Sequence, residues 1–534
     1  MLRYEKLIPV LFFLFFMALT APGVSWGAPG FWHPDEILQM ADKALERGYR
    51  FDEKNFDYPS LPKYVMYGVG RLVYTVGLDK TKFIEAARLV SVILGGLIVA
   101  LSYVLTRRMG GGVLSGTLAA LFLISNRDLA IYSRFAHGDP YLVFFACLTV
   151  LSLLQYRVKG HRIWLYCAFL GVGLATTSKY NGIGLFLAVV IVFLVANRRR
   201  FFEDPFTFFE MFVAGVLLSA FGYAVGTPRS VLSMAFYIQN ALPAILRQAT
   251  YDRDPETMTG LFGQWRVISG ALGSFVFLLF LAALLWYGFL VIRHYTNRRR
   301  TDDLRLDLIA IVLLCATSLD LPVLISYHYP PRFFLSILPL LAVLGGMFVE
   351  DSLQRIERLN IRYLKEVGLA AVVLILSYSF LRVIAVMLLF LNDNRIPSSR
   401  FLVSLPKGST LEYTSSPPNI PARHFSKLYE HPLYVKKFAN QPAPEGDISK
   451  FNQGEAGVEQ RQPEYLLVDS FTYEDYLNQS DCVSVQVECE FYRRLFAGET
   501  HYELIKIFDY RLPPYLPETR ATFVNPVIQI YRRK

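Results

Sequence analysis

Apolar residues gather along the chain into runs of about twenty, the length a helix needs to cross a hydrocarbon core of about 30 Å. The runs predict spans near residues 7–26, 86–106, 112–130, 140–156, 163–178, 182–196, 209–226, 267–292, 306–327, 332–349 and 366–391. Several are short or broken by Gly and polar residues. The pattern therefore predicts a mainly α, polytopic membrane helix bundle of about eleven spans. The first run follows Arg3 and Lys6 and is trailed by Ala21, Gly23 and Gly27, which suits a cleaved signal peptide or an uncleaved anchor. Its reach from Leu7 to Trp26 favours the anchor.

The polar gaps between runs orient the bundle. Alternate gaps hold Arg107-Arg108, then Arg157, Lys159 and Arg162, then Arg198 to Arg200. The next hold Arg293 with Arg298 to Arg300, then Arg355, Arg358, Arg362 and Lys365. Cytoplasmic loops carry such basic excess, so the N-terminus is placed in the cytoplasm and an odd span count places the C-terminus outside. Residues 1–391 read as the membrane domain, with a first outer loop at about 28–85. Beyond Asn392 the chain turns richer in Pro, Asn, Ser, Glu and Tyr. Strand-like runs at Glu464 to Asp469, Glu503 to Phe508 and Pro526 to Tyr531, with a helical stretch from Phe471 to Leu477, predict a small extracytoplasmic α/β domain over 392–534.

Composition sharpens the class. The chain is 53% hydrophobic and 18% charged, where soluble chains carry about 25% charged residues. Its net charge of +10 would suit nucleic acid, but the Arg clusters sit between apolar runs, so no nucleic-acid partner is expected. Cys147, Cys167 and Cys315 fall in spans. Cys482 and Cys489 fall in the outer domain, where a disulfide and two free thiols are both open.

The outer gaps carry the candidate chemistry. Asp35 and Glu36 follow the first run within Phe31-Trp32-His33-Pro34, as acids at a helix N-terminus or as a chemical pair. Tyr58-Pro59-Ser60-Leu61-Pro62-Lys63 suggests an interfacial segment leading into an amphipathic helix, with Lys63 binding a phosphate or snorkelling. The next outer loop packs Arg127, Asp128, Arg134, His137 and Asp139 between two spans, and ionisable groups at membrane depth are functional candidates by default. His137 and Asp139 are metal-ligand types, although one His and one carboxylate do not define a site. Lys179 stands at the next outer turn, and Tyr329 with Arg332 at the last.

Four features share this order and side: Asp35-Glu36, Ser133-Arg134 with Asp139, Gly173-Leu174-Ala175 before Lys179-Tyr180, and Tyr329 with Arg332. Together they resemble the GT-C glycosyltransferases, in the branch of the protein O-mannosyltransferases and the aminoarabinose transferase of lipid A. The segment from Ala87-Arg88-Leu89-Val90-Ser91 to Arg107-Arg108 is also similar, and the likeness spans about residues 1–350. The resemblance implies an enzyme that moves a sugar from a polyprenyl-phosphate donor in the bilayer to an outer-face acceptor, usually with inversion. It implies Asp35 as the acceptor-activating base and Glu36 as its neighbour in the acidic motif. Arg134 and Asp139 match its second-loop motif, Lys179 and Arg332 match basic positions near the donor phosphate, and Tyr329 joins them as a substrate-binding residue. The family often has a Pro-Pro-Leu run with a nearby Lys where this chain has Pro59-Ser60-Leu61-Pro62-Lys63, so Lys63 departs from the pattern. Some members use a divalent metal and others do not, and no other cofactor is implied.

The acceptor is left open among glycan, lipid and protein. The resemblance suggests a bacterial inner (plasma) membrane enzyme. Two other classes compete: a transporter or flippase of a lipid-linked or anionic substrate, and a scaffold whose outer domain binds a partner. A transporter favours midplane charges and inverted repeats, whereas these charges collect at one face. A scaffold leaves the Asp35-Glu36 and Arg134-Asp139 loops without a task.

Overall fold

The computed structural model describes residues 3–46, 48, 51, 53–250, 261–297, 303–325, 331–359, 363–431, 454–477 and 486–534. The chain divides into two compact units. One comprises Met1–Val24 with Asp35–Ile384, the other Ser25–Pro34 with Ala385–Lys534. The second unit thus takes in a piece of the expected first outer loop.

The first unit is helical. Among the described residues, six helices are long and apolar enough to cross a membrane. They are Lys80–Arg108, Asp139–Lys159, Pro205–Gly226, Ser274–Thr296, Leu304–Ile325 and Leu364–Leu391. Shorter apolar helices, among them Ile8–Thr20 and Val113–Ile124, stand where other spans were expected. The expected span at 112–130 is broken for a local reason. The Asn126 side chain accepts from Leu129 N at 2.8 Å, capping a separate short helix, Arg127–Tyr132. The first run is helical only over Ile8–Thr20, and Arg134 donates to the carbonyl oxygens of Leu19 and Pro22 at 2.8 and 3.3 Å. A side chain thereby satisfies carbonyls that a helix end leaves open.

Helix Leu61–Thr75 is amphipathic, burying Pro62, Met66, Gly70 and Val73 at near-helical spacing while Leu72 stays exposed. Lys63 joins its buried stripe.

The long helices separate two polar ends. On Lys80–Arg108, Arg88 and Arg107 lie about 29 Å apart along the axis at about 1.5 Å per residue. Around Arg107 sit the expected cytoplasmic charges. Arg107 pairs with Glu5 at 3.3 Å, Arg157 with Asp307, and Arg305 with Asp351 at 2.8 Å. Tyr287 also donates to Asp351 at 2.8 Å, and Glu350 accepts from Gly112 N at 2.8 Å. Arg88 faces the other end, where the candidate site is built.

The second unit is α/β. Strands β1 (Thr410–Tyr413), β2 (Lys427–Glu430), β3 (Tyr465–Asp469), β4 (Tyr502–Phe508) and β5 (Ile528–Arg533) form one sheet in the order β2-β1-β3-β5-β4. β1 runs parallel to β2 and β3, while β5 is antiparallel to β3 and β4. β3 is buried throughout, and its alternation divides two cores. Leu466 and Val468 pack with Val458, Tyr492 and Leu495, whereas Tyr465 and Leu467 pack with Leu402, Leu411 and Ile530. The helix expected near 471–477 is Ser470–Leu477. Cys482 lies outside the described residues.

Candidate active site

Asp35 and Glu36 stand in a turn ahead of helix Leu38–Glu46 rather than in its first turn. Helix-dipole stabilisation therefore does not account for them. Their surroundings differ sharply. Arg88, fully buried on Lys80–Arg108, grips Glu36 by Nε to Oε1 and Nη2 to Oε2, each at 2.7 Å. This is a bidentate, charge-assisted fork. Glu36 Oε1 also accepts from Ala136 N at 3.0 Å, and Ile37 N donates to Ala136 O at 3.3 Å. Arg88 Nη1 donates to Val24 O at 2.9 Å. Glu36 therefore joins the first loop, the Arg88 helix and the Phe135-to-His137 loop, with both of its oxygens engaged.

Asp35 is more open, its side chain 31% exposed. Arg332, from the short 3-10 helix Pro331–Ser336, pairs with its Oδ2. Tyr58 OH donates to Oδ1 at 3.3 Å. Burial pushes the Tyr58 phenol up to about 12 against the pull of Arg332, and Asp35 and Asp139 add to the rise. Tyr58 therefore stays a hydrogen-bond donor at neutral pH.

Beside this pair lies a second. Asp139 opens helix Asp139–Lys159 and Lys179 follows helix Arg162–Ser178. Lys179 Nζ lies 2.5 Å from Asp139 Oδ1 and 4.1 Å from the centre of the Phe333 ring. The approach needs a glycine at 138, since a Cβ there would stand 2.6 Å from Ser178 O. Burial lowers Lys179 to about 8, with Asp139 opposing and Arg332 assisting. Burial also lowers Arg332, but Asp139 and Asp35 outweigh it and hold the guanidinium above its ordinary range. Each cation feels both carboxylates, so the two pairs form one cluster.

His137 Nδ1 is 2.5 Å from Asp139 Oδ2 without hydrogen-bond alignment, and its Nε2 has no partner among the described residues. Burial holds the imidazole below its ordinary value despite Asp139, leaving it neutral at pH 7. Its ring meets Tyr58 edge-on at 5.2 Å. Among the described residues there is no group of three or more His, Cys, Asp or Glu side chains arranged to hold a metal. One carboxylate oxygen of Asp139 is also engaged by Lys179, so His137 and Asp139 do not form a metal centre by themselves.

Two expected ligands are occupied elsewhere. Lys63 Nζ donates to Glu53 Oε1 at 2.7 Å, Asn55 O at 2.7 Å and Tyr58 O at 2.6 Å. An ammonium has three N–H groups, so none remains for a phosphate. Burial lowers this ammonium, and Glu53 opposes the fall. Lys63 instead fastens the 53–58 loop that carries Tyr58. Arg134 is likewise committed to Leu19 O, Pro22 O and Ala130 O, the last at 2.7 Å. It fixes the end of the first helix. Tyr329 lies outside the described residues.

Glu53 and the hydrogen bond of Tyr58 to Asp35 were not foreseen. Glu53, between Asp52 and Lys54 in a charged loop, carries no local signal for its partner. Arg88 did leave one, as a single cation within an apolar run.

Residues 75–241 match the family described as dolichyl-phosphate-mannose-protein mannosyltransferase. No curated protein sequence is significantly similar to the chain. Among solved structures, the chain is similar to the oligosaccharyltransferase AglB from Archaeoglobus fulgidus, in complex with an inhibitory peptide and a dolichol-phosphate. Identity is 12%, with 94% of this chain and 72% of that chain covered and a TM-score of 0.52. It is also similar to ArnT from Cupriavidus metallidurans bound to undecaprenyl phosphate, at 12% identity, 98% and 97% coverage and a TM-score of 0.49. The chain thus carries a segment similar to the dolichyl-phosphate-mannose-protein mannosyltransferase family, within a fold similar to that of an oligosaccharyltransferase.

Proposed function

We propose that the chain transfers a sugar from a polyprenyl-phosphate carrier to an acceptor on the extracytoplasmic face, with inversion, and that Asp35 is the base. The observation that carries this reading is the cluster of Asp35, Arg332, Asp139 and Lys179, in which the most open carboxylate shares its cation with a second pair. The matched family is described by a dolichyl-phosphate donor, and the archaeal oligosaccharyltransferase was solved with a dolichol-phosphate, which supports a polyprenyl phosphate here.

The chemistry follows from the pairs. A donor phosphate competes with Asp35 for Arg332 and with Asp139 for Lys179, since Arg and Lys both bind phosphate oxygens. Turning Arg332 to the phosphate releases its hold on Asp35 Oδ2, the oxygen assigned here to the acceptor hydroxyl. That oxygen takes the hydroxyl proton as the new bond to the anomeric carbon forms. The bond from that carbon to the phosphate oxygen breaks, and the electron pair leaves with the phosphate. Arg332 and Lys179 stabilise the developing charge, so no general acid is required. Glu36, fully engaged, positions Asp35 rather than reacting.

The basic gaps around Arg107, Arg157 and Arg293 support a cytoplasmic placement of the opposite end. On that orientation the proposed site belongs to the outer face, in a bacterial inner membrane by the likeness stated above. A transporter is not favoured, because the paired charges lie at helix ends and not along the middle of the helices.

The test is transfer from radiolabelled polyprenyl-phosphate sugars in membranes holding wild type or Asp35→Asn. Label in a glycan, lipid or protein product with wild type alone supports the reading and names the acceptor class. Absence of transfer from a broad donor panel, with the protein intact, overturns it.

A further inference from the structure

The second unit holds a crevice of about 340 Å³, within the usual size for small-ligand sites. One wall is the Gly30-to-Trp32 segment, the other the stretch from Ser415 to Ile420 after β1. Arg395 lies on its lining and is fully buried.

Arg395 is held rigidly. Asp393 receives its Nε at 3.0 Å and its Nη2 at 2.8 Å, and Phe523 O accepts from Nη2 at 2.7 Å. Asp393 is fixed in turn by Trp26 Nε1 at 2.9 Å and Asn525 N at 2.6 Å. The guanidinium lies 4.3 Å from the Trp32 ring and 5.0 Å from the Trp26 ring. Its remaining nitrogen, Nη1, has no acceptor among the described residues, and neither has the indole N–H of Trp32, which also lines the crevice. Both residues belong to the crevice lining, and a buried donor left without an acceptor is costly.

The charge balance selects the ligand. Arg395 is the one charged residue on the lining, and Asp393 neutralises it. An anion therefore meets no surplus positive charge. The rest of the lining alternates aromatic faces, Phe31, Trp32 and Tyr413, with neutral polar groups, Ser415, Ser416 and Asn419. Asn419 directs its amide nitrogen to Gly27 O and Ala28 O at 3.1 and 3.3 Å. Its Oδ1 closes on Gly30, where a Cβ would stand 2.2 Å away, so a glycine is needed there. Aromatic faces against sugar C–H groups, beside fixed neutral donors and acceptors, suit a polyhydroxylated ring.

We propose that this crevice between Gly30-to-Trp32 and Ser415-to-Ile420, with Arg395 on its lining, is a binding site for a neutral carbohydrate. It holds the acceptor glycan of the transfer reaction. The word acceptor rests on the function proposed above, whereas the binding does not.

The test uses the full chain in lipid nanodiscs, titrated with short gluco-, manno- and galacto-oligosaccharides, with anionic oligosaccharides and Ser/Thr peptides as controls. Three proteins are compared: wild type, Trp32→Phe, which keeps a ring and removes the N–H, and Ser415→Trp, which fills the crevice from an exposed position. Thermal unfolding confirms that each is folded. Binding of a neutral oligosaccharide to wild type, weakened about tenfold or more by both substitutions, is the expected result. Failure of every neutral oligosaccharide to bind wild type overturns the proposal. So does equal binding in all three, or binding confined to the anionic ligands or the peptides. The same titration on Asp35→Asn separates the two readings. Retained binding with lost transfer supports both. Binding by a wild type that transfers no polyprenyl-linked sugar leaves this site standing and removes the transferase reading.

Discussion

Arg88 holds both carboxylate oxygens of Glu36 at 2.7 Å, with neither side chain exposed. Removing one partner of a buried pair leaves an uncompensated charge, which costs about 3–5 kcal/mol. Arg88→Met is expected to lower the unfolding temperature of the purified protein strongly. Adding Glu36→Gln to it should recover much of the loss. Chemical denaturation of the single and double variants checks this, and an equal loss in both would refute the pairing account.

Asp35→Asn changes little volume and keeps hydrogen-bonding capacity for Tyr58 and Arg332, yet it cannot accept a proton. Transfer is expected to fall by about 10²–10⁴-fold, the usual worth of a general base. The unfolding temperature should stay near that of wild type. A variant with full activity would remove Asp35 from the reaction.

Lys63 and Glu53 are both buried, at 1% and 0% side-chain exposure. Lys63→Met should destabilise the protein by about 3–5 kcal/mol, and Glu53→Gln in the same chain should restore part of it. A phosphate-binding lysine would show no such rescue. The comparison is read from stability and from the apparent donor KM of each variant.

Lys179 sits near 8, below its ordinary 10.5, chiefly through burial. It is charged below that pH and loses its charge above it. Apparent donor affinity should therefore weaken as pH rises through about 8. Lys179→Arg keeps its charge throughout and should flatten the profile. An unchanged profile in that variant would take Lys179 away from the phosphate.

In the second unit, burial works against a charged His431, but Glu412 at 2.6 Å and Glu488 at 3.4 Å raise it to about 9. Arg461 binds the same Glu412 by two bonds, at 2.6 and 2.8 Å, and although burial opposes it, Glu412 lies below its ordinary range. Since the folded value of His431 exceeds its ordinary 6.5, its contribution is complete below about 6.5 and is lost as pH rises through about 9. The unfolding temperature of wild type should fall across that window more steeply than that of His431→Gln.

Hydropathy along the chain was enough to read the class of the molecule and the approximate places of its long helices. A run of apolar residues long enough for a membrane is a local property, so Lys80–Arg108, Asp139–Lys159 and Leu304–Ile325 fall close to where hydropathy put them. Strand alternation is local too, and β3 and β4 lie close to the predicted runs. Caps and breaks were harder. Asn126 reads as one polar residue in an apolar stretch until its side chain is seen on Leu129 N. Partners were not legible at all. Nothing near Glu36 in the chain announces Arg88, fifty-two positions away, and nothing near Lys63 reveals that Glu53 and two carbonyls use up its protons. Which of several equally charged side chains stays open for chemistry depends on which others are brought within about 3 Å of it. It takes the fold to show that Glu36, Lys63 and Arg134 are engaged by buried partners and carbonyls while Asp35, Arg332, Asp139 and Lys179 gather in one cluster.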